Sequence, residues 1–179
     1  NEVYVLNQSI INEASNCFSI TGNNIIFNLA GYTIDGVGAT PTAVAIAVTS
    51  NGVTIMNGTV KEYAVGIIYS LASNGTVTNM TLTNNSQAMI LEGTGSHGNS
   101  KIVSNIIENN TLDVSQGIGL IFYHNSSIIS NIIKNNRIGI GTNNADFSNF
   151  SFNNITATYG ISLAEVDNSY IAFNNVSGT

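Results

Sequence analysis

Short runs in which apolar and polar residues alternate recur along the chain, most of them closed by asparagine: "VTIMNGTV" (53–60), "MTLTNNSQ" (80–87), "NIIENNTL" (105–112), "NIIKNNRI" (131–138), "FSFNNITA" (150–157) and "IAFNNVSG" (171–178). Alternation with period two, rather than 3.6, predicts half-buried β-strands and excludes helical repeats. "YTIDGVGA" (32–39) aligns as a seventh copy with Asp35 in the asparagine place. The aligned column is Asp35, Asn57, Asn84, Asn109, Asn135, Asn154 and Asn175, with steps of 22, 27, 25, 26, 19 and 21 residues. Two positions earlier it reads Thr33, Ile55, Leu82, Ile107, Ile133, Phe152 and Phe173, almost wholly apolar. A second short strand follows most copies, as in "VGIIYS" (65–70), "QGIGLIFY" (116–123) and "YGISLAE" (159–165).

A period of about 20 to 27 residues with two or three strands per turn is what a parallel β-solenoid requires. Coils stack about 4.8 Å apart, so inward side chains form files of like residues. The aliphatic column is expected to fill the core. The asparagine column is expected at a bend, pointing inward, each amide donating to one neighbouring coil and accepting from the other. Asparagine also tolerates the left-handed backbone such a bend needs. The fold class is therefore all-β, a parallel β-helix of about seven coils with an internal Asn ladder. Residues 1–22 read as an N-terminal opening strand and thin cap, and residues 23–179 as the coils of a single domain.

The opening stretch "YVLNQSI…NCFSITGNNIIFNLAGYTIDG" (4–36) and the Ile/Asn/Gly coils together resemble the right-handed parallel β-helix repeat proteins of the pectate-lyase-like superfamily, particularly the NosD-type and archaeal surface-protein versions. The resemblance covers essentially the whole chain and implies a fold, not one function, because that superfamily holds lyases, hydrolases, tailspikes, adhesins and inert stalks. The surface-protein versions often carry a second cysteine near "FNLAGY"; this chain has none, so a stapled cap is not implied.

Composition narrows the function classes. Only 14 of 179 residues are charged, 29 are asparagine, and the net charge is −6, so binding a phosphate backbone by counterion release is excluded and an anionic membrane surface is disfavoured. The longest apolar run, "AVAIAV" (43–48), is far short of the roughly 20 residues of a spanning helix. The chain opens on "NEVYVL" without an initiator Met, which reads as a mature form or a segment of something longer. Cys17 is alone and reads as a small buried hydrophobe. Ten N-x-S/T sequons exceed the chance expectation and point to an extracellular or cell-surface protein. Five of them fall on ladder positions expected to face inward, which leaves Asn7, Asn74, Asn79, Asn125 and Asn149 as glycosylation candidates.

Catalytic chemistry is sparse. "GTGSHGNS" (93–100) faintly resembles the polygalacturonase "GHG" motif, but that family's paired-Asp and Arg-x-Lys motifs have no match, so no catalytic residue is assigned. "SHGNS", "YHNSS", "NADFS" and "VDNSY" bring His97, His124, Asp146 and Asp167 to one corner of successive coils, where stacking could let them share a metal. Asp, Asn and His are also ordinary turn residues. Glu108 and Lys134 read as a surface ion pair worth little. A flat Thr rank for ice binding is absent, since the position three before the ladder reads Thr54, Thr81, Ile106, Ile132, Ser151 and Ala172.

No cofactor is indicated. The expected role is an extracellular structural or adhesive module, a filament or stalk subunit. Its partner is itself, through end-to-end stacking at Ile171, Phe173 and Val176, or the rest of a larger surface protein. A carbohydrate-active enzyme or glycan-binding module is the alternative.

Overall fold

The computed structural model describes residues 1–38, 42–110 and 116–178. Every strand in that range joins one sheet by parallel pairing, and each turn of chain lays down three strands. The first face, A, carries Glu2–Val5, Ile25–Asn28, Lys101–Val103, Ser127–Ile129, Asn149–Ser151 and Tyr170–Ala172, with the leading halves of Thr54–Lys61 and Thr76–Thr83. Face B carries Ile10–Glu13, Thr33–Gly36, the trailing halves of those two long strands, Ile106–Glu108, Asn175–Ser177 and the starts of Ile132–Asn143 and Asn154–Ala164. Face C carries Phe18–Ile20, Val44–Val48, Val65–Ser70, Gln87–Gly98, Gln116–His124 and the ends of the two strands shared with face B. This is a right-handed parallel β-helix, the hand that parallel crossovers adopt. It has seven full turns and a two-strand eighth. The stretch 1–22 is itself a coil, its three strands pairing with the three that follow.

Alternation sends one file of each face inward. Phe27, Ile55, Val77, Ile102, Ile128 and Phe150 stack on face A; Ile34, Val60, Leu82, Ile107, Ile133 and Ile155 on face B; Ile46, Ile67, Met89, Ile118 and Ile140 on face C. All are buried. Removing such side chains from water supplies roughly 1.5–3 kcal/mol each, which is the dominant stabilising term here.

The asparagine ladders are internal, but their register differs from the expected one. Each corner is turned by a residue with φ between about 50° and 65°, and that residue's own side chain points out; the next residue points in. At the A/B corner the turning residues are Asn57, Asn79, Ser104, Ser130, Phe152 and Phe173, and the inward residues that follow include Asn105, Asn131, Asn153 and Asn174. At the B/C corner Glu62, Asn84, Asn109 and Asn135 turn the chain, while Tyr63, Asn85, Asn110 and Asn136 point in. The inward ladders are thus Asn105–Asn131–Asn153–Asn174 and Asn85–Asn110–Asn136. Each side-chain Oδ1 accepts the backbone N–H of its counterpart one coil earlier, as in Asn105 N–H to Asn131 at 3.0 Å and Asn85 N–H to Asn110 at 2.9 Å. At the C/A corner serines do the same work: the N–H groups of Gly75, Ser100, Ser126 and Ser148 reach the hydroxyls of Ser100, Ser126, Ser148 and Ser169.

Of the expected column only Asp35 is buried, and its Oδ2 pairs with Lys61 Nζ at 2.9 Å. Asn84, Asn135, Asn154 and Asn175 are exposed, and Asn57 and Asn109 are half-buried. Asn154 and Asn175 open face B strands and do not turn a corner. The cause is backbone geometry: a left-handed residue at the apex directs its Cβ outward, and only its successor can reach the corner N–H of the neighbouring coil. The outward asparagines still touch one another, Asn135 Nδ2 donating to Asn109 Oδ1 at 3.0 Å and Asn175 Nδ2 to Asn154 Oδ1 at 3.2 Å.

Candidate functional site

The C/A corner holds the candidate polar cluster. Its turning residues Asn99, Asn125, Phe147 and Asn168 are each preceded by one outward position, occupied by Gly98, His124, Asp146 and Asp167 in consecutive coils. His124, Asp146 and Asp167 therefore form one file. His97 lies one residue ahead of it, level with the buried Tyr123.

Within the file the Asp146 N–H donates to His124 Nδ1 at 3.0 Å, and Asp146 Oδ2 stands 3.6 Å from the same nitrogen. Accepting at Nδ1 assigns the proton of the neutral ring to Nε2. Asp146 Oδ1 accepts the Asp167 N–H at 2.8 Å. Each polar side chain thus also caps the backbone of the next coil. His97 Nδ1 accepts the Thr94 N–H at 3.3 Å within the protruding segment Gly93–Ser96. That segment passes His124, since a Cβ on Gly95 would stand 3.7 Å from Nε2.

Glu108 and Lys134 are paired in strand register, but no ion pair joins them; Lys61 pairs instead with Asp35 and Glu62. Cys17 is half-buried against Tyr63, and burial pushes its thiol up. Burial likewise raises Tyr63, Tyr69 and Tyr123, the last to about 12. Tyr123 accepts this environment because its hydroxyl donates to Ala72 O at 2.6 Å and meets Ser100 Oγ at 2.6 Å.

Sequence reasoning missed the aromatic rings. Four of the seven phenylalanines, Phe122, Phe147, Phe152 and Phe173, occupy left-handed corners and are exposed. The signal was present: "SFNN" and "AFNN" put Phe where "VSNI" and "ISNI" put Ser ahead of the inward asparagine.

The sequence model of the NosD family, described as periplasmic copper-binding protein, matches residues 1–179. The chain belongs to the NosD family. No curated protein sequence matches it. Among solved structures it is similar to the DFA-IIIase of Arthrobacter chlorophenolicus A6, seen in complex with DFA-III (C387A mutant), with 14% identity, a TM-score of 0.65, and 87% of this chain covering 37% of that one. It is also similar to the enzymatically active domain of tailspike protein 2 of bacteriophage CBA120, with 15% identity, a TM-score of 0.61, and 99% of this chain covering 38% of that one. This NosD-family chain spans under two fifths of either protein, and likeness at such identity concerns the fold.

The family description raises copper, which prefers thiolate, thioether and imidazole donors. Met80 and Met89 are packed in the core, Cys17 stands apart beside Tyr63, and both histidines already accept backbone N–H groups at Nδ1. Among the described residues no three His, Cys, Asp or Glu side chains converge on one point. This donor set does not fit a copper centre.

Proposed function

We propose that this NosD-family chain is a structural and adhesive β-solenoid module held outside the cytoplasm, in the cell envelope or at the cell surface. The observation that carries this reading is the hydrogen-bonded ladder at each of the three corners, which stiffens the coils and leaves the side walls free to present residues. Low charge, the sequons and the family's periplasmic description support the location. Fractionation of the source cells, with protease added to intact cells or spheroplasts, tests it: protection in the cytoplasmic fraction overturns the reading.

Self-stacking is part of the proposal. Ile171 and Val176 continue the inward files of faces A and B beyond Phe150 and Ile155, and both are partly exposed. They offer a seat for a further layer of the same files, contributed by a second copy or by more chain, whereas Phe173, at its left-handed corner, points outward and is not part of that seat. Sedimentation of the 179-residue chain and of Val176→Asp checks the first source; concentration-dependent growth abolished by the charge is expected, and a monomer at all concentrations refutes it.

A second reading, glycan cleavage, is favoured by the His124–Asp146–Asp167 file alone. Reducing-sugar release that disappears in Asp146→Asn would support it over the structural reading.

A further inference from the structure

We infer that the outer wall of face A in the last two coils is a binding face for a neutral oligosaccharide, which rests on the adhesive reading above and names its partner. The wall runs along Asn149 and Ser151 in one coil and Tyr170 and Ala172 in the next, paired position by position, with Ser151 itself buried beneath it. Phe147 turns the corner on one side, and Phe152 and Phe173 turn it on the other. Their exposures are 59% for Phe147, 58% for Phe152 and 70% for Phe173, with 54% for Tyr170. Phe152 and Phe173 stack with centroids 5.0 Å apart and planes 12° from parallel, forming a raised aromatic edge.

Two features of this wall run against stability. Bulky side chains are disfavoured in the left-handed region, and equivalent corners of earlier coils use Asn79, Ser104, Ser130, Asn99 and Asn125. Exposed rings also forgo burial. Costs of this kind concentrate where a ligand uses them. In addition, Tyr170, on the strand between the aromatic corners, adds a hydroxyl that can donate to or accept from a ligand hydroxyl on this exposed face.

Size and charge select the occupant. A three-residue strand is about 10 Å long and two coils add about 10 Å, so with the corner rings the patch offers roughly 200 Å², against about 800 Å² per partner in a stable protein interface. That suits two or three sugar units. The seven named wall and corner residues carry no formal charge, while Asp146 and Asp167 flank Phe147 and repel a polyanion. A neutral glycan fits and a polyuronate does not. Apolar faces set around a few polar groups are the usual composition of such sites.

Affinity electrophoresis of the 179-residue chain through gels containing laminarin, hydroxyethylcellulose, dextran or polygalacturonate tests this. Retardation is expected with at least one of the three neutral polymers and not with polygalacturonate. The double variant Phe147→Asn/Phe152→Ser installs residues these corners already carry one coil earlier, so it should melt no lower than the parent while losing at least tenfold in apparent affinity. No retardation by any neutral polymer, preference for polygalacturonate, or unchanged retention by a folded double variant overturns the inference. These failures leave the location test untouched, so loss of this inference and loss of the parent reading are distinguishable.

Discussion

Two adjacent asparagines separate the observed register from the one the repeat alone predicts. Asn110 is fully buried: its Oδ1 accepts the Asn85 N–H at 2.9 Å, and its Nδ2 is shared among Leu82 O at 3.2 Å, Glu108 O at 3.0 Å and Asn136 Oδ1 at 3.0 Å. In Asn110→Ala the Asn85 N–H loses its partner and the carbonyl of Leu82 loses a donor, both inside the coil. Stranding a buried polar group costs about 1–3 kcal/mol, so about 2–4 kcal/mol is expected in total. Asn109, one residue earlier, has φ 58° and is half-exposed, and its side chain accepts from Asn135 Nδ2 at the surface. Asn109→Ala loses that surface bond and pays the left-handed penalty of an alanine, about 1–2 kcal/mol. For a domain of this size each kcal/mol moves the melting temperature by about 2–4 °C, so Asn110→Ala should melt roughly 5–15 °C lower and Asn109→Ala roughly 2–8 °C lower, about half as far. Thermal denaturation followed by circular dichroism reads both. Equal shifts, or a larger one for Asn109→Ala, would refute the ladder register.

Three further outcomes follow from the same geometry. Burial pushes the Tyr123 phenol from the ordinary 10 up to about 12, so its contribution to stability is intact below pH 10 and is lost as pH rises through 12; its share of the fall in unfolding free energy across that window is about 2–3 kcal/mol, and Tyr123→Phe should lessen the fall by that share, with Tyr63 and Tyr69 supplying the rest. Gly98→Ala drives a Cβ into the backbone carbonyl of His124, and a loss of about 1–3 kcal/mol in a urea titration is expected, where a neutral result would mean the coils there are not so closely stacked. Secretion from an N-glycosylating host should add glycan mass at the exposed Asn7, Asn74, Asn79 or Asn125, read by peptide mapping; an unmodified chain would remove the sequon argument.

The architecture was legible because a solenoid repeats its reasons: alternation fixes the strands, and stacking turns one favourable residue into a file, so Ile107 predicts Ile133 and Leu82. What the alignment could not resolve was which of two consecutive asparagines turns and which points in. "ENN" and "KNN" satisfy both roles with the same residue type, so the letters at 109 and 110 or 135 and 136 are interchangeable until the backbone assigns φ. The corner serines were hidden for a related reason, since Ser100, Ser126 and Ser148 follow apexes of different identity, Asn99, Asn125 and Phe147. The polar file at that corner was foreseen as a cluster, yet His124 and Asp146 each accept a main-chain N–H of the following coil, which no pattern of letters encodes. The aromatic wall shows the complementary limit. A phenylalanine in an apolar-polar alternation reads as core, and Phe150 obeys; Phe152, two residues on, would keep that parity, but the chain leaves the strand at Ser151 and enters the left-handed region, so the ring is thrown outward. Parity carries information only within a strand, and the residues that leave it at a corner are the ones free to meet something other than the core.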